Sequence, residues 1–172
     1  MVCFRSSKNQ LGDKMEVREP RRATRHGSFQ LCQDADAVFP LFCPVREQEW
    51  LESWNPGVVY STTGAVEPEC VFTSSDRHGR ATWLVSHHDS AARIIHMVKL
   101  TPEFTACLLK IAVRPLSPSG SEVSVTYSHT ALSPAGEEFV EGFSEDAYSR
   151  IMAHWKTALE HFFEHGSSMP GS

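Results

Sequence analysis

Ser121 to Leu132 alternates without interruption, and no other stretch constrains the fold as tightly. Val123, Val125, Tyr127, His129 and Ala131 fall on one face, and Glu122, Ser124, Thr126, Ser128 and Thr130 on the other. Such a segment is a half-buried strand of an antiparallel sheet, with one wet face. A long helix follows at once. Ser133 can cap it, Pro134 suits its first position, and Glu137, Glu138 and Glu141 favour its positive end. At about 100° per residue, Tyr148, Ile151, Met152, Trp155, Ala158, Leu159 and Phe162 share one stripe. Phe139, Val140, Phe143 and Ala147 occupy a sector rotated by roughly 100° from it, which predicts a bend or a second packing partner at Gly142-Phe143-Ser144. Gly166 ends the helix.

Upstream, Thr24–Gln33 reads as a first strand. Asp34 is an N-cap candidate for a helix over Ala35–Phe42, its carboxylate accepting from first-turn amides. Pro44 breaks that helix, and Val45–Trp54 forms a second short one, stopped by Asn55-Pro56-Gly57. Val58–Thr62, Cys70–Ser75, Ala81–His88, Arg93–Leu100 and Phe104–Arg114 then read as strands joined by short turns, an antiparallel meander.

Seven basic and three acidic side chains stand among the first 25 residues, whereas the other 147 carry nine and eighteen. Residues 1–22 are therefore expected to be a mobile basic arm, 23–166 the folded domain and 167–172 a disordered tail. The overall charge of −5, with no basic stripe interleaved with aromatics, argues against a nucleic-acid partner. No apolar run approaches the roughly 18 residues needed to span a bilayer. The five cysteines are odd in number and free of any CxxC pair, which points to reduced thiols and a cytoplasmic setting.

Asp36-Ala37-Val38-Phe39-Pro40-Leu41-Phe42 with Trp50, Trp54 and Pro56, and Thr130-Ala131-Leu132-Ser133-Pro134-Ala135-Gly136 leading into a helix with Trp155, resemble segments of the START-like (SRPBCC) superfamily, particularly its bacterial polyketide cyclase and lipid-transport-like members. The resemblance covers roughly Thr24 to His165. It implies an α+β helix-grip fold, with a curved antiparallel sheet wrapped around the long C-terminal helix, two short helices after the first strand, and a cavity between sheet and helix.

Large residues on the expected inner faces are candidates to line that cavity: Trp54, Trp83, Val85, Met97, Leu109, Ile111, Tyr127, His129, Tyr148, Met152 and Trp155, with Ile95 beside them. Aromatics with a polar tip, and flexible methionines, suit an apolar guest held by a few directed hydrogen bonds. The same residues could instead pack solidly together. His129 stands out, because a buried imidazole must find a partner or lose its charge. It is either a ligand anchor or a core histidine bonded to a neighbouring hydroxyl. Cys107, with no histidine in register by sequence, is expected in the core.

Two motifs carry less. His161-Phe162-Phe163-Glu164-His165 matches the inverted zinc-protease pattern, but the seven residues after His165 hold no carboxylate to complete a metal site. Ser86-His87-His88-Asp89 lies in one extended run whose side chains alternate between faces, so its members cannot converge as a triad. No catalytic constellation, metal or cofactor is expected. The sequence points to a carrier or sensor binding a hydrophobic or aromatic small molecule as a monomer or homodimer. A cyclase- or hydrolase-type enzyme would need a second ionisable group facing His129. A chaperone co-activator-like module would need an exposed apolar patch, for which Phe139–Phe143 is the candidate.

Overall fold

The computed structural model describes residues 15–116 and 118–171. The strands are β1 (Arg22–Leu31), β2 (Val58–Tyr60), β3 (Val71–Asp76), β4 (Gly79–Asp89), β5 (Ile94–Thr101), β6 (Thr105–Pro115) and β7 (Ser121–Ala131), and the helices are α1 (Ala35–Val38), α2 (Pro134–Gly142) and α3 (Glu145–His165). All seven strands form one antiparallel sheet in the order β1-β7-β6-β5-β4-β3-β2. Hairpin turns join β3 through β7, while β1 returns to pair with β7 and closes the order. Most of the expected basic arm, residues 1–14, lies outside the described residues, and residues 15–21 are exposed ahead of β1.

The alternation read in β7 is the alternation observed. Val123 and Val125 are fully buried and His129 is buried, and their neighbours on β6 (Cys107, Leu109, Ile111 and Val113) turn the same way. On the outer face, Val71, Leu84, Val98 and Leu108 are register partners in a row across β3 to β6, and Leu84 and Val98 stay exposed. A bulge between Val85 and His87 on β4 displaces Ser86, whose hydroxyl donates to the His96 carbonyl.

The terminal helix is two helices. Ser133 accepts from the Gly136 N–H to cap α2, and Ser144 accepts from the Ala147 N–H to cap α3. The shift of apolar face anticipated at Gly142-Phe143-Ser144 is thus resolved by a complete break with a fresh N-cap. Gly166 closes α3 in the left-handed region at φ 71°, which glycine adopts without steric cost. Tyr148 anchors α3 on the sheet, its hydroxyl donating to the Val125 carbonyl at 2.7 Å. Met152, Trp155, Ala158 and Leu159 follow on the buried side. Met152 and Leu159 each contribute about 1.5–3 kcal/mol by leaving water.

The segment after β1 holds the expected short helical elements, wound more tightly and, in the second, over fewer residues than expected. α1 is a single turn continued by a 3-10 turn over Phe39–Phe42, and Val45–Trp54 holds only a 3-10 turn over Glu47–Glu49. Two indoles tie this stretch down. Trp50 Nε1 donates to the Leu41 carbonyl at 2.9 Å and Trp54 Nε1 to the Pro44 carbonyl at 2.7 Å, so compact turns replace a continuous helix. Asp34 caps α1 through its main-chain carbonyl, which accepts from Ala37 and Val38, and not through its carboxylate.

α2 sits hard against the turn between β5 and β6. A Cβ at Gly136 would lie 2.0 Å from the Phe104 carbonyl oxygen, so only glycine permits this approach. Gly136→Ala is expected to lower stability by about 1–3 kcal/mol or more, through displaced backbone, with a reduced urea midpoint. An unchanged midpoint would show that α2 is not clamped there.

Candidate functional site

The interior along α3 is filled. Trp155 packs against Trp50 (ring centroids 5.7 Å) and Phe42 (5.9 Å), and Trp54 packs against Phe72 (5.9 Å) and Trp83 (6.0 Å). Val85, Met97, Leu109 and Ile111 are each at most 2% exposed within the same core. Trp83 Nε1 donates to the Ser74 hydroxyl, and the Lys99 ammonium lies 5.3 Å from its ring centre while paired with Asp76 at 3.2 Å.

The open space lies at the end of the sheet, where α2 gives way to α3. It is a cavity of about 640 Å³, within the range of roughly 300–1,000 Å³ typical of small-molecule sites. Four elements supply its walls: Arg77 and His78 from the β3–β4 turn, Phe104 from the β5–β6 turn, Tyr127 and His129 from β7, and Phe139, Phe143 and Ile151 from the broken terminal helix. Arg77, Ala135, Glu138 and Gly142 are exposed and form its rim. Of the eleven residues proposed from the sequence, Tyr127 and His129 line this cavity. Tyr148 and Met152 border a smaller groove of about 290 Å³ against β1, and the other seven belong to the packed core.

The walls are mostly aromatic. His78 stacks on Phe104 at 4.3 Å and Phe104 meets Phe139 at 5.3 Å; His129 takes Phe139 and Phe143 edge-on at 5.0 and 4.8 Å and stacks parallel to Tyr127 at 5.6 Å. Phe139 and Phe143, which an interaction module would have placed on an outer patch, are cavity walls, because the break at Gly142 turns α2's apolar face inward. Tyr127 stands at the boundary, touching Phe143 on one side and Trp155 on the other.

His129 is the polar centre of this space. It is 8% exposed, its Nε2 lies 3.8 Å from the Cys107 sulfur, and its Nδ1 is buried with no hydrogen-bond partner among the described residues. Burial, with a smaller push from the Lys99 charge, lowers its pKa to about 4, so the ring is neutral near pH 7. The expected hydroxyl partner is absent; a thiol takes that place. Cys107 is in the core as expected but is the direct register partner of His129. Burial pushes its thiol up to about 12, which disfavours the thiolate at neutral pH. Burial likewise raises the Tyr127 phenol well above its usual range.

Glu47 escaped the sequence reading. It is 6% exposed, and burial raises its carboxyl to about 8. Its charge, when present, is felt at Tyr127. The signal was its spacing of three from Trp50, which puts both on one side of a helical turn. Elsewhere, His161 and His165 stack at 4.2 Å on the last turn of α3, and no group of three metal-ligating side chains occurs among the described residues.

A buried acid held neutral costs stability wherever the unfolded chain is ionised. Glu47 therefore erodes stability as pH rises from its ordinary value near 4.5 through about 8, at about 1.4 kcal/mol per pKa unit. Glu47→Gln is expected to be more stable than wild type at pH 8 and little different at pH 4, by thermal or urea unfolding. A loss of stability at pH 8 would contradict the assignment.

No protein-family model and no curated protein matches the sequence. Solved structures do match. Norcoclaurine synthase from Thalictrum flavum, in complex with dopamine and hydroxybenzaldehyde, aligns at 12% identity with a TM-score of 0.64 over 96% of each chain. The Zhui aromatase/cyclase from Streptomyces sp. R1128 aligns at 13% identity and TM-score 0.58, covering 86% of this chain and 99% of that one. An uncharacterised protein from Bacillus thuringiensis aligns at 18% identity and TM-score 0.59, covering 83% and 99%. At such identities the likeness establishes architecture, and function has to be argued from the site. The seven-stranded curved sheet closed by a long C-terminal helix is the helix-grip fold, the architecture that the resemblance of the sequence motifs implied.

Proposed function

We propose that this protein binds a hydrophobic aromatic small molecule in the cavity at the α2–α3 break, as a carrier or sensor. The observation that carries the reading is the His129 Nδ1, buried and unpartnered at the wall of an otherwise aromatic space. A buried polar atom without a partner costs about 1–3 kcal/mol, and such a cost is retained where a ligand relieves it. Rings at stacking distances on several sides suit a flat guest. The similarity to a norcoclaurine synthase solved with dopamine and hydroxybenzaldehyde, and to an aromatase/cyclase, supports a ligand of that general kind.

A cyclase-type enzyme is the second reading, and Glu47 favours it. This buried acid, whose charge is felt at Tyr127 in the ring pair with His129, is an additional ionisable group of the kind such chemistry uses. Binding ranks first because Glu47 does not line the cavity.

Gly142 offers a direct test. It sits on the rim, and a side chain added there meets nothing within 4 Å. Gly142→Trp is expected to leave the fold intact while filling the cavity. Native mass spectrometry of freshly purified wild type should show a small-molecule adduct, or form one with added aromatics, and the variant should lose it. Equal binding by both proteins would place the ligand elsewhere.

A further inference from the structure

Cys107 and His129 meet side by side at the wall of the cavity. They are register partners on adjacent strands, both on the inner face, with Sγ and Nε2 3.8 Å apart. A thiol so placed has one proton of its own to donate, and the imidazole nitrogen beside it is a far better acceptor than sulfur. With S–H directed at Nε2, a neutral ring must carry its hydrogen on Nδ1. Nδ1 is the atom left buried and unpartnered in a ring that lines the cavity.

We propose that Cys107 positions the His129 tautomer so that Nδ1–H presents a neutral hydrogen-bond donor to the cavity, and that this donor selects aromatic ligands bearing a carbonyl oxygen. The inference rests on the reading of the cavity as a binding site and names its ligand class. The ring does not need to charge to bind, so the ligand need not be an anion. Nor is a ring so reluctant to take a proton suited to abstracting one; it fits the polarising of a carbonyl, as neutral imidazoles do in enzymes that stabilise enolates. An apolar guest without an acceptor would bury the N–H unsatisfied, which separates matched ligands by about ten- to a hundredfold. The aromatic walls hold either guest equally well.

Two readouts on the intact protein test this. In the ligand-free protein, long-range 15N–1H NMR of the imidazole should show the hydrogen on Nδ1. In titrations with 9-fluorenone and fluorene, which differ only by the carbonyl, wild type should prefer fluorenone by at least tenfold. Cys107→Ser, which keeps a donor beside Nε2, should retain both the tautomer and the preference. Cys107→Ala should mix the tautomers and cut the preference severalfold, with fluorene affinity unchanged as the control for an intact cavity. His129→Leu should abolish the preference. Hydrogen found on Nε2, or equal affinity of wild type for the two probes, overturns the proposal while leaving the cavity as a binding site. Failure of both probes to bind overturns the binding reading, and this proposal with it.

Discussion

The chain's C-terminal third carries two apolar sectors that no single straight helix can bury against one surface. Breaking the helix at Gly142–Ser144 resolves the conflict, and the rest of the architecture follows from it. α3 lays Tyr148, Met152, Trp155 and Leu159 onto the sheet and seals the core. α2 points Phe139 and Val140 elsewhere and is clamped on the Phe104 carbonyl where glycine permits contact. Between these two directions lies a space that neither helix fills. The cavity is thus a by-product of a packing frustration that the sequence builds in twice, through the rotated stripe and the Ser144 cap.

Behind the exposed rim of Arg77 and Glu138, burial holds three polar groups in their uncharged forms. His129 is neutral because burial disfavours its cation, and the thiol of Cys107 keeps its proton for the matching reason. The buried carboxyl of Glu47 is the third such group. A folded chain gains nothing from a partnerless ring nitrogen or a desolvated acid, and their presence together near Tyr127 supports the proposed binding role.

The fold was legible because it is written in local periods. Strict alternation over β7, turn residues between the meander strands and the apolar stripe of α3 all gave elements within a few residues of those observed. The site was only partly legible, because its walls come from turn tips and from a helix face whose partner no periodicity reveals. Arg77, His78 and Phe104 reach the cavity only through sheet curvature. Seven of the proposed lining residues lie on the right face but too deep, where Trp50 and Trp54, fixed by their indole hydrogen bonds, fill the space between sheet and helix. The Cys107–His129 pairing turned on one residue of register. A hairpin folded symmetrically about Ser117–Gly120 would set Cys107 opposite Thr130, whereas the strands set it opposite His129.

The central claim is that guests enter the space beside the helix break and do not adhere to the apolar row on the outer sheet face. Intermolecular NOEs from naphthalene to aromatic- and methyl-labelled protein test it most directly. The account predicts contacts to Phe139, Phe143 and Ile151. Contacts confined to Leu84, Val98 and Leu108 would contradict it.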